Sequence, residues 1–400
     1  MKRLLKSLVT LLLTVFPTAC VYDYDPGVQG SQQTYLVVEG DILAGDYTLI
    51  QLSRMSALDA ESTPEFITAA NVFIQCENSG IFRVAELDYT TFDNPCFRID
   101  TRDLDVNQRC QLVIILYGRY DHPNISYSTP WMQVQQTESV LDSLTYVVAP
   151  DYSQLDVRIH THGKAEGYYR WIGKEIWEYS AVFRAIGYYD PTLDDIVLYE
   201  NGENTYYCWK RDVFRDVAVA SPADLGVDHF SDYTIYTTDN RNDRRFGLVH
   251  SLELTQVRIS REAYNYWTSM RNNTSDVGGL FSPQPSDVRG NIRNMDDSTE
   301  YVVGYVSAST VSKAQKYYRN LTGHFGIVGI SSEVSVILKR PMWRSYYNNG
   351  YLPIVPYIPD VEEPPEDLYG MFEWAPKICV DCRLKGGSKR VPEGWPNPHI

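Results

Sequence analysis

From Thr34 onward the chain is a succession of short runs of β-branched, aromatic and aliphatic residues, each closed by turn residues. Examples are Tyr35-Leu36-Val37-Val38, Tyr47-Thr48-Leu49-Ile50-Gln51-Leu52, Asn71-Val72-Phe73-Ile74-Gln75, Cys96-Phe97-Arg98-Ile99 and Gln111-Leu112-Val113-Ile114-Ile115-Leu116-Tyr117. Runs of this length and spacing are strands whose alternate residues face a core, and their repetition predicts an all-β protein built on a sandwich. The aromatic content points the same way. Tyr, Trp and Phe make up 13% of the 400 residues, and rings of this kind favour pleated surfaces over helical bundles.

The runs predict an N-terminal immunoglobulin-like or transthyretin-like sandwich over residues 33–137, left by a strand at Pro130-Trp131 and closed by the seam Thr137-Glu138-Ser139. A larger β domain follows over 138–345, with strands at Leu155–His160, Tyr168–Phe183, Thr234–Thr238, Leu248–Ile259 and Tyr301–Ser307. One segment breaks the pattern. Arg261–Arg271 follows Ser260, a good N-cap, and sets Ala263, Tyr266, Trp267 and Met270 at helical spacing, so one short helix is expected there. Residues 346–400, with Pro353, Pro356, Pro359, Pro364 and Pro365, read as an extended C-terminal arm ending in Cys379-Val-Asp-Cys382 and a basic, aromatic finish.

The N-terminus sets the compartment. Lys2, Arg3 and Lys6 precede an apolar run from Leu8 to Phe16, after which Pro17-Thr18-Ala19-Cys20 resembles the lipobox of bacterial lipoproteins. The run is about half the roughly 20 residues that span a bilayer. Residues 1–19 are therefore read as a signal peptide, Cys20 as a lipidated residue and 20–32 as the anchored linker. Tyr22-Asp23-Tyr24-Asp25 is similar to the acidic export signals of surface lipoproteins, which leads to an expectation of outer-membrane, cell-surface localisation. A formal charge of −15 argues against nucleic acid as a partner.

Export places the remaining cysteines in an oxidising setting, where Cys76, Cys96, Cys110, Cys208, Cys379 and Cys382 are disulfide candidates. Cys96 and Cys110 open two strands across a polar loop, and a bridge between them is expected if those strands are neighbours. For the CxxC at 379–382, a structural bridge to Cys208 is the leading reading, with redox activity or half a zinc site as alternatives. A link from the C-terminal pair to Cys76 is a further alternative.

His160 and His162 share a strand face but have no third ligand nearby in sequence, so no metal site is assigned. HExxH, GxSxG and phosphate-binding glycine loops are absent, and no catalytic residue or cofactor is assigned. Glu175 and Glu178 stand three apart on one strand and point to opposite faces, which is wrong for a glycosidase pair. Trp171, Glu175 and Trp177 share a face. Core packing is one reading of that face, and a ring platform for a glycan or peptide ligand is the other. Ser143 and Ser298, in Asp142-Ser143-Leu144 and Asp297-Ser298-Thr299, resemble O-glycosylation sites.

Several stretches together resemble a known family. They are Tyr169-Arg170-Trp171 with Glu175-Ile176-Trp177-Glu178, Cys208-Trp209, Ile259-Ser260 through Tyr266-Trp267, Leu280-Phe281-Ser282-Pro283, Gly290-Asn291-Ile292, Val303-Gly304-Tyr305 and Cys379 through Arg383. In this order they resemble domain of unknown function 4249, lipoproteins of Bacteroidota found with TonB-dependent outer-membrane transporters. The resemblance implies a lipid-anchored, two-part β fold and no established reaction. By analogy with nutrient-binding lipoproteins, the expected function is a non-enzymatic accessory to such a transporter that captures ligand or caps the barrel. A surface adhesion or envelope-assembly protein is the alternative, and a hydrolase a more distant one.

Overall fold

The computed structural model describes residues 34–56, 64–118, 123–200, 205–275, 289–326, 335–356 and 370–399. The signal peptide, Cys20, the acidic stretch and Pro359, Pro364 and Pro365 lie outside the described residues. Among those described, no helix is long and apolar enough to cross a membrane.

The protein is all-β, and its first unit is a sandwich of two sheets. One sheet runs Val302–Val303, Thr34–Glu39, Tyr47–Ser56, Cys96–Asp100, Glu86–Asp88, and the other runs Arg293–Asn294, Ile125–Ser128, Arg109–Leu116, Ala70–Cys76, Gly80–Val84. Period-two burial explains why these segments pair. In Arg109–Leu116 the residues Cys110, Leu112, Ile114 and Leu116 are buried and their neighbours are half-exposed or exposed. They meet Leu36, Val38, Ile50, Leu52, Val72 and Ile74 in one core.

The boundary expected at 137 is incomplete, because the chain returns to this unit about 150 residues later. Ile292, Val302, Val306 and Ala308 join the same core, and Val302 pairs parallel with Leu36. Gly304 makes the close approach possible, since its φ is +124° and a Cβ there would collide with the Val38 carbonyl.

The second unit packs a three-stranded sheet (Val140–Val148, Leu155–His162, Tyr233–Thr238) on a larger one ordered Tyr207–Val213, Tyr168–Ser180, Val249–Ile259, Ala308–Arg319, Ile42–Ala44. Its core is rich in rings: Tyr169, Trp171, Phe214, Phe230, Phe246 and Phe325. The edge strand Ile42–Ala44 comes from the first unit and pairs parallel with Ala308–Thr310, so one sheet edge stitches the two units together. The expected helix is present as Arg261–Ser275, and Ser260 Oγ accepts from Ala263 N at 3.1 Å.

Two expectations for the C-terminus are corrected. A second helix, Arg340–Asn348, accompanies the first, and short turns of helix lie at Pro222–Leu225 and Lys377–Val380. The region from 346 is not an extended arm: Val336–Leu338, Phe372–Pro376 and Tyr351–Pro356 form a three-stranded sheet. Tyr189, Leu338, Trp343 and Trp374 share a buried cluster there. The prolines are compatible with this because Tyr351–Pro356 is an edge strand, where a missing N–H breaks no ladder bond.

Candidate functional site

Where the two units meet, several segments surround a partly open cavity of about 150 Å³, comparable in volume to an apolar cavity that admits a benzene-sized guest. The turn Glu39-Gly40-Asp41 forms one wall. Gly40, with φ +134°, is required because a Cβ there would strike the Leu49 carbonyl. Leu49 and Gln51 come from the strand Tyr47–Ser56, Arg170, Ile172 and Lys174 from the long strand Tyr168–Ser180, Phe214 to Val217 from the loop after Tyr207–Val213, and Trp267 from the first helix.

Asp41 is the anchor of this junction. Its side chain is fully buried, accepts from Arg170 Nη1 at 2.7 Å and accepts from Ser307 N at 2.7 Å. Burial pushes the Asp41 carboxyl up, against the pull of Arg170. The Arg170 guanidinium carbon lies 3.6 Å from the centroid of the Trp267 ring, a cation–π contact. The other charges around the cavity are paired as well. Lys174 meets Glu253 at 3.0 Å, Lys313 bridges Asp46 and Glu253, and Arg215 meets Glu39 at 3.3 Å and Asp212 at 3.0 Å.

Against this satisfied background two groups stand out. Gln51 is 2% exposed, and neither Nε2 nor Oε1 has a hydrogen-bond partner. Trp267 Nε1 is likewise buried without a partner. Buried polar groups are nearly always paired, and leaving one unpaired costs about 1–3 kcal/mol. Gln51 and Trp267 both contribute to the wall of the same small cavity, beside the apolar side chains of Leu43, Leu49, Ile172, Phe92 and Phe214. Both residues therefore carry polar groups that only a shift of the surrounding side chains would present to a guest, within aromatic and aliphatic surface.

The residues expected to form a ring platform lie elsewhere. Trp171, Glu175 and Trp177 do share a face, but the face looks inward. Trp171 is 1% exposed, donates from Nε1 to Gln256 Oε1 at 3.0 Å and packs edge-on against Phe230 at 4.9 Å. It has no ring face left for a ligand. Trp177 is buried with Tyr179 and Cys208. Glu175 is buried, accepts from Arg245 Nη1 at 3.2 Å and lies 3.2 Å from His250 Nε2, whose Nδ1 is 2.9 Å from Tyr146 Oη. Glu178 points to the opposite face and accepts from His399 N at 2.8 Å.

Burial raises the Glu175 carboxyl, but the hydrogen bond and charge of His250 and the Arg245 guanidinium outweigh it and hold the group below its ordinary 4.5. A depressed carboxylate contributes stability above its unfolded value and loses it as pH falls through the folded one. Glu175→Gln is therefore expected to be about 1–3 kcal/mol less stable than the wild type at pH 7. Urea denaturation should show that gap narrowing below about pH 4.5. A gap independent of pH would assign the effect to packing.

Cys208 and Cys382 are joined, with Cα atoms 5.8 Å apart, while Cys379 is half-buried and unbridged. The bridge expected between Cys96 and Cys110 is absent. The two lie in different sheets of the sandwich, where Cys96 opposes Asp88 and Cys110 opposes Cys76. Cys76 is unbridged too. Ser143 and Ser298 are both exposed, the first within a strand and the second in a turn. His160 Nε2 sits 3.3 Å from Thr145 Oγ1, His162 Nδ1 is 2.6 Å from Asp142, and no metal-ligating cluster occurs among the described residues.

The sequence alone assigns no role to Asp41 or Gln51, and names Arg170 and Trp267 only within the family-like stretches, with Trp267 also as a packed helix residue. The available signal was Gln51 itself, a carboxamide inside the otherwise apolar run Leu49-Ile50-Gln51-Leu52.

No curated protein matches this sequence. Among solved structures, the B domain of a biofilm associated protein aligns with 74% of this chain and 88% of its own, at 7% identity and a TM-score of 0.14, and at that score it carries no argument. The informative match is to Domain of unknown function (DUF4249), over residues 21–315. That span takes in both faces of the sandwich, the returning strands and every residue named around the cavity, and the chain belongs to this family.

Proposed function

We propose that the protein is a lipid-anchored, non-enzymatic ligand-capturing partner of a TonB-dependent outer-membrane transporter, and that the cavity between its two units is where the ligand is held. The observation that carries the reading is the pair of unpartnered buried polar groups on Gln51 and Trp267, two residues in the wall of a mixed apolar cavity whose charged neighbours are already paired. A purely mechanical adhesin has no use for a buried unpaired carboxamide. The lipobox-like segment ending at Cys20 and the acidic stretch behind it support anchoring at the outer membrane, facing the cell surface. The ligand class that fits is a small neutral molecule with adjacent donor and acceptor groups, such as a peptide amide or a sugar diol.

Purification from native membranes in gentle detergent tests the partnership. A transporter should accompany the protein, and recovery of the protein alone at full yield would overturn it. The cavity is tested by Gln51→Leu, which removes the unpaired carboxamide at nearly constant volume. This variant should be about 1 kcal/mol more stable than the wild type in the absence of ligand. Acetamide and ethylene glycol, an amide and a diol small enough for the cavity, should raise the thermal stability of the wild type and leave that of the variant unchanged. Loss of stability in the variant would show that Gln51 is a satisfied structural residue.

A further inference from the structure

On the opposite side of the long strand from the sandwich junction, a second pocket of about 240 Å³ lies between Trp177, Tyr179, Lys210, Arg244 and Lys385, and the paired Asp243 and Arg245 line it too. Three separate segments build it. Lys210 comes from the strand Tyr207–Val213, Arg244 from the 3-10 turn Arg244–Phe246, and Lys385 from the turn Cys382–Lys385, which the Cys208–Cys382 bridge pins in place.

The charges here do not balance. Arg245 is taken by Asp243, at 2.8 Å from its Nη2, and by Glu175 at 3.2 Å from its Nη1. Asp243 is committed in turn, since it also caps the turn by accepting from Arg245 N at 3.0 Å. Among the described residues Lys210, Arg244 and Lys385 make no ion pair within 4 Å, and only Lys210 feels a further carboxylate, the more distant Asp93. Lys210 Nζ lies 5.9 Å from the centroid of the Trp177 ring and beside Gly386, the residue after Lys385. Burial, and then the nearby Arg244, push the Lys385 ammonium below its ordinary value. In a chain with a formal charge of −15, three unpaired cations converging on one half-buried pocket call for an anion.

We propose that this pocket binds an oxyanion, a carboxylate, sulfate or phosphate group, with Arg244 and Lys385 as its charged donors, Lys210 beside them and Trp177 forming the wall. A guanidinium supplies a two-pronged donor to such a group, and ammonium groups supply point charges to its remaining oxygens. Because the pocket closes over the C-terminal turn, a bound anion also ties that turn to the core of the second unit.

Isothermal titration of the intact protein with sodium sulfate, sodium phosphate and sodium glucuronate, against sodium chloride at matched ionic strength, tests the site. Saturable binding of one anion per chain is expected for at least one of the three. Arg244→Gln and Lys385→Gln should each weaken it at least tenfold. Lys385→Arg should stay within about threefold, and Lys316→Gln, on the exposed strand face, within twofold. A preference for glucuronate identifies sugar acids as the ligand, and equal affinity identifies simple oxyanions. Absence of saturable binding to all three, or losses at Lys316→Gln equal to those at Arg244→Gln, would overturn the proposal. Near-ultraviolet circular dichroism confirms folding, and Arg244→Gln, which lies outside the disulfide-pinned turn, decides the matter should Lys385→Gln misfold.

Discussion

Cys208→Ser is expected to lower the unfolding free energy by about 2–5 kcal/mol, the range observed when native disulfides are removed. The bridge spans 174 residues of sequence, and for a loop of that size the chain-entropy estimate approaches about 5 kcal/mol. Its position adds to the effect, because it fastens the last structural unit to the long strand's neighbour. Without it, that attachment rests on apolar clusters such as Tyr189 with Leu338, Trp343 and Trp374, and on hydrogen bonds such as Cys382 N to Thr205 O at 3.0 Å, Val182 N to Cys379 O at 2.9 Å and Tyr179 Oη donating to Cys382 O at 2.8 Å. Urea denaturation of the wild type with and without reductant, beside Cys208→Ser and the double variant Cys208→Ser/Cys382→Ser, measures the loss. The single and double variants should nearly coincide, since both delete one bond. A loss below 1 kcal/mol would show that packing alone docks the C-terminal unit.

How much of this was legible in the sequence follows from which interactions are local. The strands of the sandwich were legible because period-two burial writes itself into residues such as Leu112, Ile114 and Leu116. The helix at 261 was legible because Ser260 caps it. The return of the chain to the first unit was not, because its strands Arg293–Asn294 and Val302–Val303 are two residues long and carry no period. The C-terminal sheet was hidden by Pro353 and Pro356, which mark an extended arm just as well as an edge strand. For Trp171, Glu175 and Trp177 alternation correctly predicted a common face. Only the sheet packed over it decides that the face is core rather than platform. The cavity is the least legible feature, since Asp41, Gln51, Arg170 and Trp267 lie on four segments and meet only through tertiary packing.

The largest effect of a single surface-remote substitution is expected at Asp41, where Asp41→Ala should destabilise the protein by about 3–5 kcal/mol, the usual consequence of stranding one member of a buried ion pair. Three parts of the molecule depend on this carboxylate. It receives Arg170 from the long strand, receives Ser307 N from the chain returning to the sandwich, and sits in the turn that leads into the stitching strand Ile42–Ala44. Removing it leaves the Arg170 guanidinium, with only 15% of its side chain exposed, facing the Trp267 ring with only the more distant Glu39 as counter-charge. Asp41→Asn is expected to be milder, because a carboxamide oxygen still accepts from both donors. The double variant Asp41→Ala/Arg170→Met should recover much of the loss, because a buried pair replaced together by apolar atoms is often neutral. Chemical denaturation of the wild type, Asp41→Ala, Arg170→Met and the double variant gives the coupling energy directly. If the double variant is as unstable as the sum of its parts, the junction is held by packing around Trp267 rather than by the ion pair. In that case Trp267→Leu, and not Asp41→Ala, is the substitution that should loosen the cavity.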